Sequence, residues 1–296
     1  MTELLILGAT GNIGSEIVRQ AVARDVPVRA ASRQPERARQ GMPERTEVVK
    51  FDFSDSDTFA PALTGIHQLF LIAPHQQPVP SVRRLLDTAL ASDVRRIVMS
   101  SGRTTGDIAQ KPLHRVEELV QKSGIAWTIL RPGWFMQNFS GWIGGKTIPE
   151  QNAIYLPAGS SYTAFVDVRD IAAVALRTLL NSGHDGKIYE LTGEEALSHY
   201  EVAEKISAVA RRPIHYHALS DGAFADKMRQ LGWSEANIRH TLMLYELVRT
   251  GKEAAVTDDV ETILHRMPIS FDEFAADYQN AWDTDDLPID SSDADL

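Results

Sequence analysis

The chain has 296 residues, with 30 Lys and Arg, 40 Asp and Glu, and no cysteine. The net charge of −10 argues against nonspecific binding to nucleic acid or to an anionic membrane, and the lack of cysteine excludes disulfides, a thiol nucleophile and cysteine-bound metals. No apolar run reaches the roughly 18 residues of a transmembrane helix, and the first residues show no secretion signal. The composition therefore predicts a soluble, cytoplasmic protein.

Short apolar strands and helical segments alternate through the first half of the chain. Strands are predicted at 3–8, 26–32, 46–53, 68–73, 95–101 and 126–132, and helices at 12–24, 81–92 and 112–124. Apolar strands separated by helices are typical of a parallel sheet that is covered on both faces. The pattern therefore predicts an α/β fold built on a doubly wound parallel sheet.

The second half of the chain is mostly helical. A helix is predicted over 166–183 and one more strand over 187–192, and Ser198 with Glu201 fits a helix capping box. The expected organisation is a first domain at 1–150, with 151–192 partly returning to it, a smaller helical part at 193–282, and an acidic, disordered tail at 283–296.

Three glycines stand three residues apart in GATGNIG, directly after the first predicted strand. Gly8, Gly11 and Gly14 leave a turn with almost no side-chain bulk at the start of a helix. This arrangement matches the dinucleotide fingerprint, in which the backbone approaches the pyrophosphate at the positive end of the helix. A plain strand-to-helix turn is the alternative. The context favours a bound dinucleotide and a Rossmann-type sheet.

The end of the second predicted strand indicates which dinucleotide is bound. Chains that bind NAD usually carry an acid there for the ribose hydroxyls, whereas chains that bind NADP carry an arginine for the 2′-phosphate. This chain has Ser32 and Arg33 in that place, with Arg37 and Arg39 nearby. A solvated basic loop is the alternative. Because arginine donates two parallel hydrogen bonds to phosphate, the motif favours NADPH or NADP as the cofactor.

Familiar catalytic sets are missing from the sequence. No tyrosine has a lysine four residues later, so the Tyr-x-x-x-Lys pair of classical short-chain dehydrogenases is absent. The nine histidines show no metal-ligand spacing with a nearby carboxylate, so no metal is expected.

Five segments carry a further pattern: GATGNIG, SRQPERA, LHRVEELVQKSGIAWTILRPGWFMQNF, FVDVRDIAAVA and VTDDVETILHRMPISFDEFAADY. Together they resemble the NmrA-like family of atypical short-chain dehydrogenases/reductases, from residue 1 to about 282. That family includes NADPH-dependent quinone, dye and benzylic ether reductases, and redox-sensing regulators that bind NADP without turnover.

The resemblance implies a position for each part of the cofactor. The pyrophosphate would lie at Gly8, Thr10, Gly11, Asn12, Ile13 and Gly14, the 2′-phosphate at Ser32 and Arg33, the adenine near Asp52 and Phe53, and the nicotinamide ribose and ring beside Ala73, Pro74 and Pro132. Trp134 and Phe135 would border the substrate pocket, which the helical second half completes.

The resemblance also implies a catalytic candidate on the predicted helix 112–124. His114 could donate a proton or orient a carbonyl, because imidazole titrates near neutral pH. A surface histidine is the alternative for this residue.

Two functions follow from the resemblance. The first is an enzyme that transfers hydride from NADPH to a small, flat, electron-poor acceptor such as a quinone, enone or imine. The second is an NADP(H)-binding redox sensor that exposes a surface to a partner protein. The expected partner is a small-molecule acceptor, with no nucleic acid and no membrane, and a homodimer is a possible assembly.

Overall fold

A computed structural model of the chain describes residues 3–105, 111–141 and 145–283. The strands in the described residues are β1 Leu4–Ile6, β2 Val28–Ser32, β3 Glu47–Lys50, β4 Gln68–Ile72, β5 Arg96–Ser100, β6 Ala126–Pro132, β7 Ala153–Leu156, β8 Tyr162–Thr163, β9 Lys187–Leu191, β10 Leu197–Ser198 and β11 His215–Ala218. The acidic tail predicted from the sequence lies outside the described residues, apart from Asp283.

The same residues form the helices that separate or follow these strands. They are α1 Asn12–Ala23, α2 Pro35–Gln40, α3 Phe59–Leu63, α4 Pro78–Leu90, α5 Pro112–Gln121, α6 Thr147–Gln151, α7 Val168–Leu180, α8 His199–Ala210, α9 Asp221–Gln230, α10 Glu235–Arg249, α11 Asp259–Leu264 and α12 Phe271–Asp277. No helix in the described part of the chain is long and apolar enough to cross a membrane.

Seven strands form one parallel sheet in the order β3-β2-β1-β4-β5-β6-β9. The chain winds outward from β1 through β2 and β3 on one side, and from β4 onward on the other. The connections that leave β1 and β4 therefore diverge and open a crevice at the carboxyl edge of the sheet, where open α/β sheets bind ligands. The predicted doubly wound α/β fold is confirmed.

Successive strand residues point to opposite faces of the sheet, and helices cover both faces. Leu5, Leu69 and Ile97 point to one face, where they form a core with apolar side chains of α3, α4 and α5. On the other face α1 packs against α7, and α7 contacts β4 and β5. Helices on both faces explain why the strands are apolar throughout their length.

Two compact units are present. Of the described residues, those within 1–133, 168–192 and 257–268 form the sheet unit, and those within 134–167, 193–256 and 269–296 form the helical unit. The domain ranges predicted from the sequence, 1–150 with 151–192 partly returning to it and 193–282, remain a prediction.

Short strand pairs and helices build the helical unit. β7 pairs in parallel with β11, and β8 pairs antiparallel with β10. The predicted capping box at the start of α8 is confirmed, because the Ser198 hydroxyl accepts from the Glu201 N–H while the Glu201 carboxylate accepts from the Ser198 N–H. Aromatic side chains dominate the core of this unit, including Phe139, Phe165 and Tyr245.

Candidate functional site

The glycine turn follows β1 directly and lies at the point where the strand order reverses. Gly8 has a φ of +69°, which favours glycine because a side chain is strained there. A Cβ atom on Gly14 would lie 2.2 Å from the carbonyl oxygen of Gly8, so α1 can approach the turn this closely only with glycine at position 14. At Gly11 the nearest atom to such a Cβ would be 3.5 Å away. The second glycine is therefore not required by packing within the turn.

Helix α1 begins at this turn without a side-chain cap. Gly11 occupies the N-cap position, and no side chain of the described residues caps it. The first-turn N–H groups of a helix lack partners within the helix and favour an anion. Thr10 and Asn12 are exposed at the same end, while Ile13 and Gly14 are buried against the sheet. The turn fits the pyrophosphate of a dinucleotide.

The loop after β2 presents a cationic surface next to the glycine turn, because β2 is the neighbour of β1. Arg33 is exposed and forms no salt bridge within the described residues. Lys50, at the end of β3, donates from Nζ to the carbonyl oxygen of Arg33 at 2.7 Å. The Ser32 hydroxyl accepts from the N–H of Gln34 at 3.1 Å, which shapes the turn. Two cations therefore lie together at the carboxyl ends of β2 and β3.

The other two arginines of this segment differ from Arg33. The guanidinium of Arg39 lies 2.7 Å from the carboxylate of Glu36, so its charge is already paired. Arg37 is exposed on α2. Arg33 is the arginine that directly follows β2.

Asp52 and Phe53 lie in the loop after β3, which is joined to the β2 loop by a hydrogen bond from the N–H of Phe51 to the carbonyl of Ser32. The Ser54 hydroxyl and N–H donate to the Asp52 carboxylate and lower its pKa below the ordinary value. Desolvation opposes this shift. The half-buried Phe53 ring meets Phe51 edge to face at 5.0 Å, and it offers a flat surface beside the cationic loop.

Ala73 and Pro74 follow β4 on the other side of the crevice and are half-buried. A Cβ atom on Gly8 would lie 3.3 Å from Cδ1 of Ile72, the last residue of β4. The fold therefore brings the start of this loop against the glycine turn.

A buried ion pair that the sequence did not predict joins α5 to β6. The Glu117 carboxylate accepts from Arg131 at 2.6 Å and from the Ser101 hydroxyl at 2.5 Å. The side chain of Glu117 is only 2% exposed. A glutamate between the buried Val116 and Val120 on α5 was the signal for this pair, because a charge at such a position needs a partner.

His114 lies in the first turn of α5, one turn before Glu117. Its Nδ1 atom is buried without a hydrogen-bond partner among the described residues, and its Nε2 lies 3.6 Å from Oε1 of Glu118. Glu117 contacts Ser101, which directly follows β5, so this end of α5 lies at the carboxyl edge of the sheet. Pro132 is buried at the carboxyl end of β6, on the same edge.

Trp134 and Phe135 belong to the helical unit. The carbonyl of Trp134 accepts from the N–H of Val166 at 2.8 Å, and Phe135 pairs with Val166 in a parallel bridge. The half-buried Trp134 ring lies 4.8 Å from the ring of Tyr245. The backbone contacts hold this loop, and both aromatic side chains remain partly exposed.

A parallel sheet in this order, a glycine turn at its switch point and a cationic loop after the second strand define a Rossmann-type dinucleotide-binding protein. A family model described as NAD(P)H-binding matches residues 8–182, more than half of the chain. The chain belongs to this NAD(P)H-binding family. The resemblance to NmrA-like reductases is confirmed at the level of the family.

Three known proteins illustrate the likeness. An NAD(P)H azoreductase from Xenophilus azovorans is 34% identical over 279 residues, covering 92% of this chain and 96% of the relative. An NADPH-dependent quinone oxidoreductase from Escherichia coli, solved with NADPH, has a TM-score of 0.81 at 24% identity and covers 93% of this chain and 99% of its own. Triphenylmethane reductase from Citrobacter sp., solved with NADP(H), has a TM-score of 0.80 at 22% identity with the same coverage. The two solved structures show the shared fold.

Proposed function

We propose that this protein is an NADPH-dependent reductase that transfers hydride to a small, flat, electron-poor acceptor such as a quinone, an enone or imine, or an azo dye. The observation that carries the proposal is the likeness to an NAD(P)H azoreductase over nearly the full length of both chains. The glycine turn supports it, because Gly14 lets α1 pack closely against the turn, and Gly11, which packing does not require, leaves room for a pyrophosphate.

The cofactor preference rests on the loop after β2. Arg33 carries an exposed charge without a salt bridge in the described residues, and Lys50 holds the carbonyl of the same residue. Positions 32 and 33 carry a serine and an arginine, so neither offers a carboxylate to the ribose hydroxyls of NADH. A phosphate on the adenosine ribose would gain charge-assisted hydrogen bonds here, so we infer a preference for NADPH over NADH.

When bound, NADPH supplies two electrons as a hydride, and the reduced acceptor takes its proton from water or from a nearby side chain. His114 is the proposed side chain, because its buried Nδ1 lacks a partner in the described residues and it lies at the carboxyl edge of the sheet. Replacement of His114 by alanine should lower kcat/KM by about a hundredfold and leave NADPH affinity unchanged. Equal kcat/KM for the variant and the parent would show that this histidine has no part in turnover.

The acceptor would bind against the aromatic side chains that follow β6. Trp134 and Phe135 are half-buried, and small-molecule sites are usually apolar with a few polar groups. In our proposal these rings hold a flat acceptor by stacking.

The test follows NADPH absorbance with naphthoquinone, methyl red and crystal violet as acceptors. We expect oxidation with at least one of them, and we expect Trp134→Ala to raise the KM for that acceptor more than it weakens NADPH binding. Trp127→Ala is the matched control, because Trp127 lies near the amino end of β6, away from the carboxyl edge. NADPH that binds but is oxidised by none of these acceptors, together with a partner protein captured in one redox state only, would favour the redox sensor instead.

A further inference from the structure

A lysine that belongs to no sequence motif lies next to Arg33 in the sheet unit. Lys50 is the last residue of β3, and it pairs with Ser32, the last residue of β2. Its Nζ donates to the carbonyl oxygen of Arg33 at 2.7 Å. β3 is an edge strand of the sheet, and Lys50 is exposed there. The ammonium group is therefore accessible to a ligand that binds beside Arg33.

The ammonium group of Lys50 keeps most of its hydrogen-bonding capacity. It has three N–H donors, and among the described residues only the carbonyl of Arg33 accepts from it. In the same part of the chain neither Lys50 nor Arg33 forms a salt bridge. Two N–H groups and a full positive charge therefore remain for an anionic ligand.

The serine of the same turn adds a third kind of donor. The Ser32 oxygen accepts from the N–H of Gln34 at 3.1 Å, and within the described residues no group accepts from its O–H. A hydroxyl, an ammonium group and a guanidinium group thus belong to two neighbouring strand ends. A phosphate monoester, which carries several acceptor oxygens and a negative charge, matches this set of donors.

A carboxylate close to these cations makes the second positive charge important. Asp52 follows Lys50 by two residues, and hydrogen bonds from Ser54 lower the pKa of its carboxyl group. The charges of Arg33 and Lys50 lower this pKa further, so both cations act on the same place. The Asp52 carboxylate would offset the charge of Arg33 alone. Lys50 leaves these three groups with one positive charge in excess.

We propose that Lys50 is a second determinant of the preference for NADPH, because its ammonium group donates to the 2′-phosphate and holds the backbone of Arg33. The proposal rests on the preference for NADPH inferred above, and it assigns part of that preference to a second strand. Arginine forms directed, paired hydrogen bonds with phosphate, whereas lysine acts as a compact charge on a flexible stem. NADH lacks the 2′-phosphate, so it gains nothing from Lys50.

The first test measures the binding of NADP and NAD by calorimetry. The two oxidised cofactors differ only in the 2′-phosphate, and neither can donate a hydride, so turnover does not enter the result. Lys50→Gln should weaken NADP binding about tenfold and leave NAD binding unchanged, because the amide retains an N–H donor but carries no charge. Lys50→Arg keeps the charge and should retain most of the NADP affinity.

Lys187→Gln is the matched control for loss of a positive charge. Lys187 is an exposed lysine on β9, at the other edge of the same sheet. This variant should bind NADP and NAD as the parent does. Equal losses for the two cofactors in Lys50→Gln would mean that Lys50 only supports the fold of the loop, and that result would overturn the proposal.

The second test asks whether Lys50 acts on the phosphate itself or only through Arg33. In an Arg33→Ala background, Lys50→Gln should still weaken NADP binding about threefold, because the ammonium group keeps its own contact with the phosphate. The loss should be smaller than in the parent, since no arginine is left to position. No further loss in this background would overturn the direct contact.

The parent protein separates failure of this inference from failure of the proposed function. Equal affinity of the parent for NADP and NAD would contradict the cofactor preference and the role of Lys50 together. A preference that is present in the parent and unchanged in Lys50→Gln would overturn the role of Lys50 alone. Failure of the reductase assay alters neither result, because no acceptor takes part in the binding measurement.

Discussion

Single residues set the chemistry of the cofactor site through charge and size. Arg33 supplies an exposed positive charge at the end of β2, and Lys50 fixes its carbonyl. Position 14 requires a glycine, because the carbonyl of Gly8 occupies the space that a Cβ atom would need. The charge of Arg33 affects the choice of cofactor, whereas the missing side chain of Gly14 affects both the packing of α1 and the binding of the cofactor.

Replacement of Arg33 by alanine should remove most of the preference for NADPH. We expect NADPH binding to weaken by about 1.5–3 kcal/mol, because a charge-assisted contact to the 2′-phosphate is lost, while NADH affinity stays nearly the same. Fluorescence titration of both cofactors measures this. Arg39→Ala is the control, since that guanidinium is already paired with Glu36. Equal affinity of the parent protein for NADPH and NADH would contradict the assignment.

The glycine turn allows a paired test of packing against ligand contact. Gly14→Ala should lower Tm and abolish cofactor binding, because its Cβ would lie 2.2 Å from a backbone oxygen. Gly11→Ala, with its nearest atom at 3.5 Å, should leave Tm close to that of the parent but weaken NADPH binding, since the second glycine of this motif lets the backbone approach the pyrophosphate. Thermal melts with and without NADPH separate the two effects. A normal Tm for Gly14→Ala would show that α1 can move away from the turn.

A buried charge pair joins helix α5 to strand β6. Arg131 contacts Glu117 through two hydrogen bonds, at 3.1 and 2.6 Å, and its own side chain is only 14% exposed. A buried ion pair contributes little more to stability than a well-packed apolar pair would. The loss of one partner is costly, however, because it leaves a buried charge without its counter-charge. The pair therefore fixes how α5 lies on the sheet, and with it the position of His114.

Replacement of Glu117 by glutamine should destabilise the protein by on the order of 3 kcal/mol, because the buried Arg131 keeps its charge but loses the charge of the Glu117 carboxylate. Urea unfolding measures the change in the free energy of unfolding. Glu118→Gln, at the next and far more exposed position, should cost less than about 0.5 kcal/mol. Similar losses for the two variants would mean that the buried pair does not hold α5 to the sheet.

The main elements could be predicted from the sequence because each carries a local signal. Apolar runs predicted the strands of the sheet, and the proline at 112 marked the start of α5. The two-residue strands β8 and β10 carry no period that could announce them, and they form only because their backbones meet in the helical unit.

Part of the candidate site could likewise be predicted from the sequence, and part could not. The glycine turn and Arg33 could be predicted because their spacing within one segment is the signal. Lys50 could not, because it approaches Arg33 only through the pairing of Ser32 with Lys50 between β2 and β3.

Burial of His199 makes the free energy of unfolding of the protein depend on pH. The pKa of its ring is about 3 in the folded protein and near 6.5 in an unfolded chain, so the unfolded chain takes up the proton first as pH falls. This part of the stability is fully present above pH 6.5 and is lost progressively as pH falls toward 3. The aromatic rings of Phe139, Phe165, Tyr216 and Tyr245 face the imidazole.

Replacement of His199 by glutamine should therefore flatten the pH dependence of stability. In the parent protein this residue contributes a loss of up to about 1.4 kcal/mol in the free energy of unfolding for each pH unit below its ordinary pKa, and the variant should lack that slope. Urea unfolding at several acidic pH values measures it. His215→Gln serves as the control, because His215 is exposed on β11. The same slope in His199→Gln as in the parent would mean that the imidazole does not stay neutral in the core.

The whole molecule combines a sheet unit that fits NADPH with a helical unit whose aromatic side chains suit a flat acceptor. The most direct test is to mix the purified protein with NADPH and naphthoquinone without oxygen, and to quantify the NADPH consumed and the hydroquinone formed. Transfer of hydride predicts equal amounts of each, at a rate far above that of the mixture without protein. NADPH that is bound but remains unoxidised with naphthoquinone, methyl red and crystal violet would contradict the assignment of this chain as a reductase.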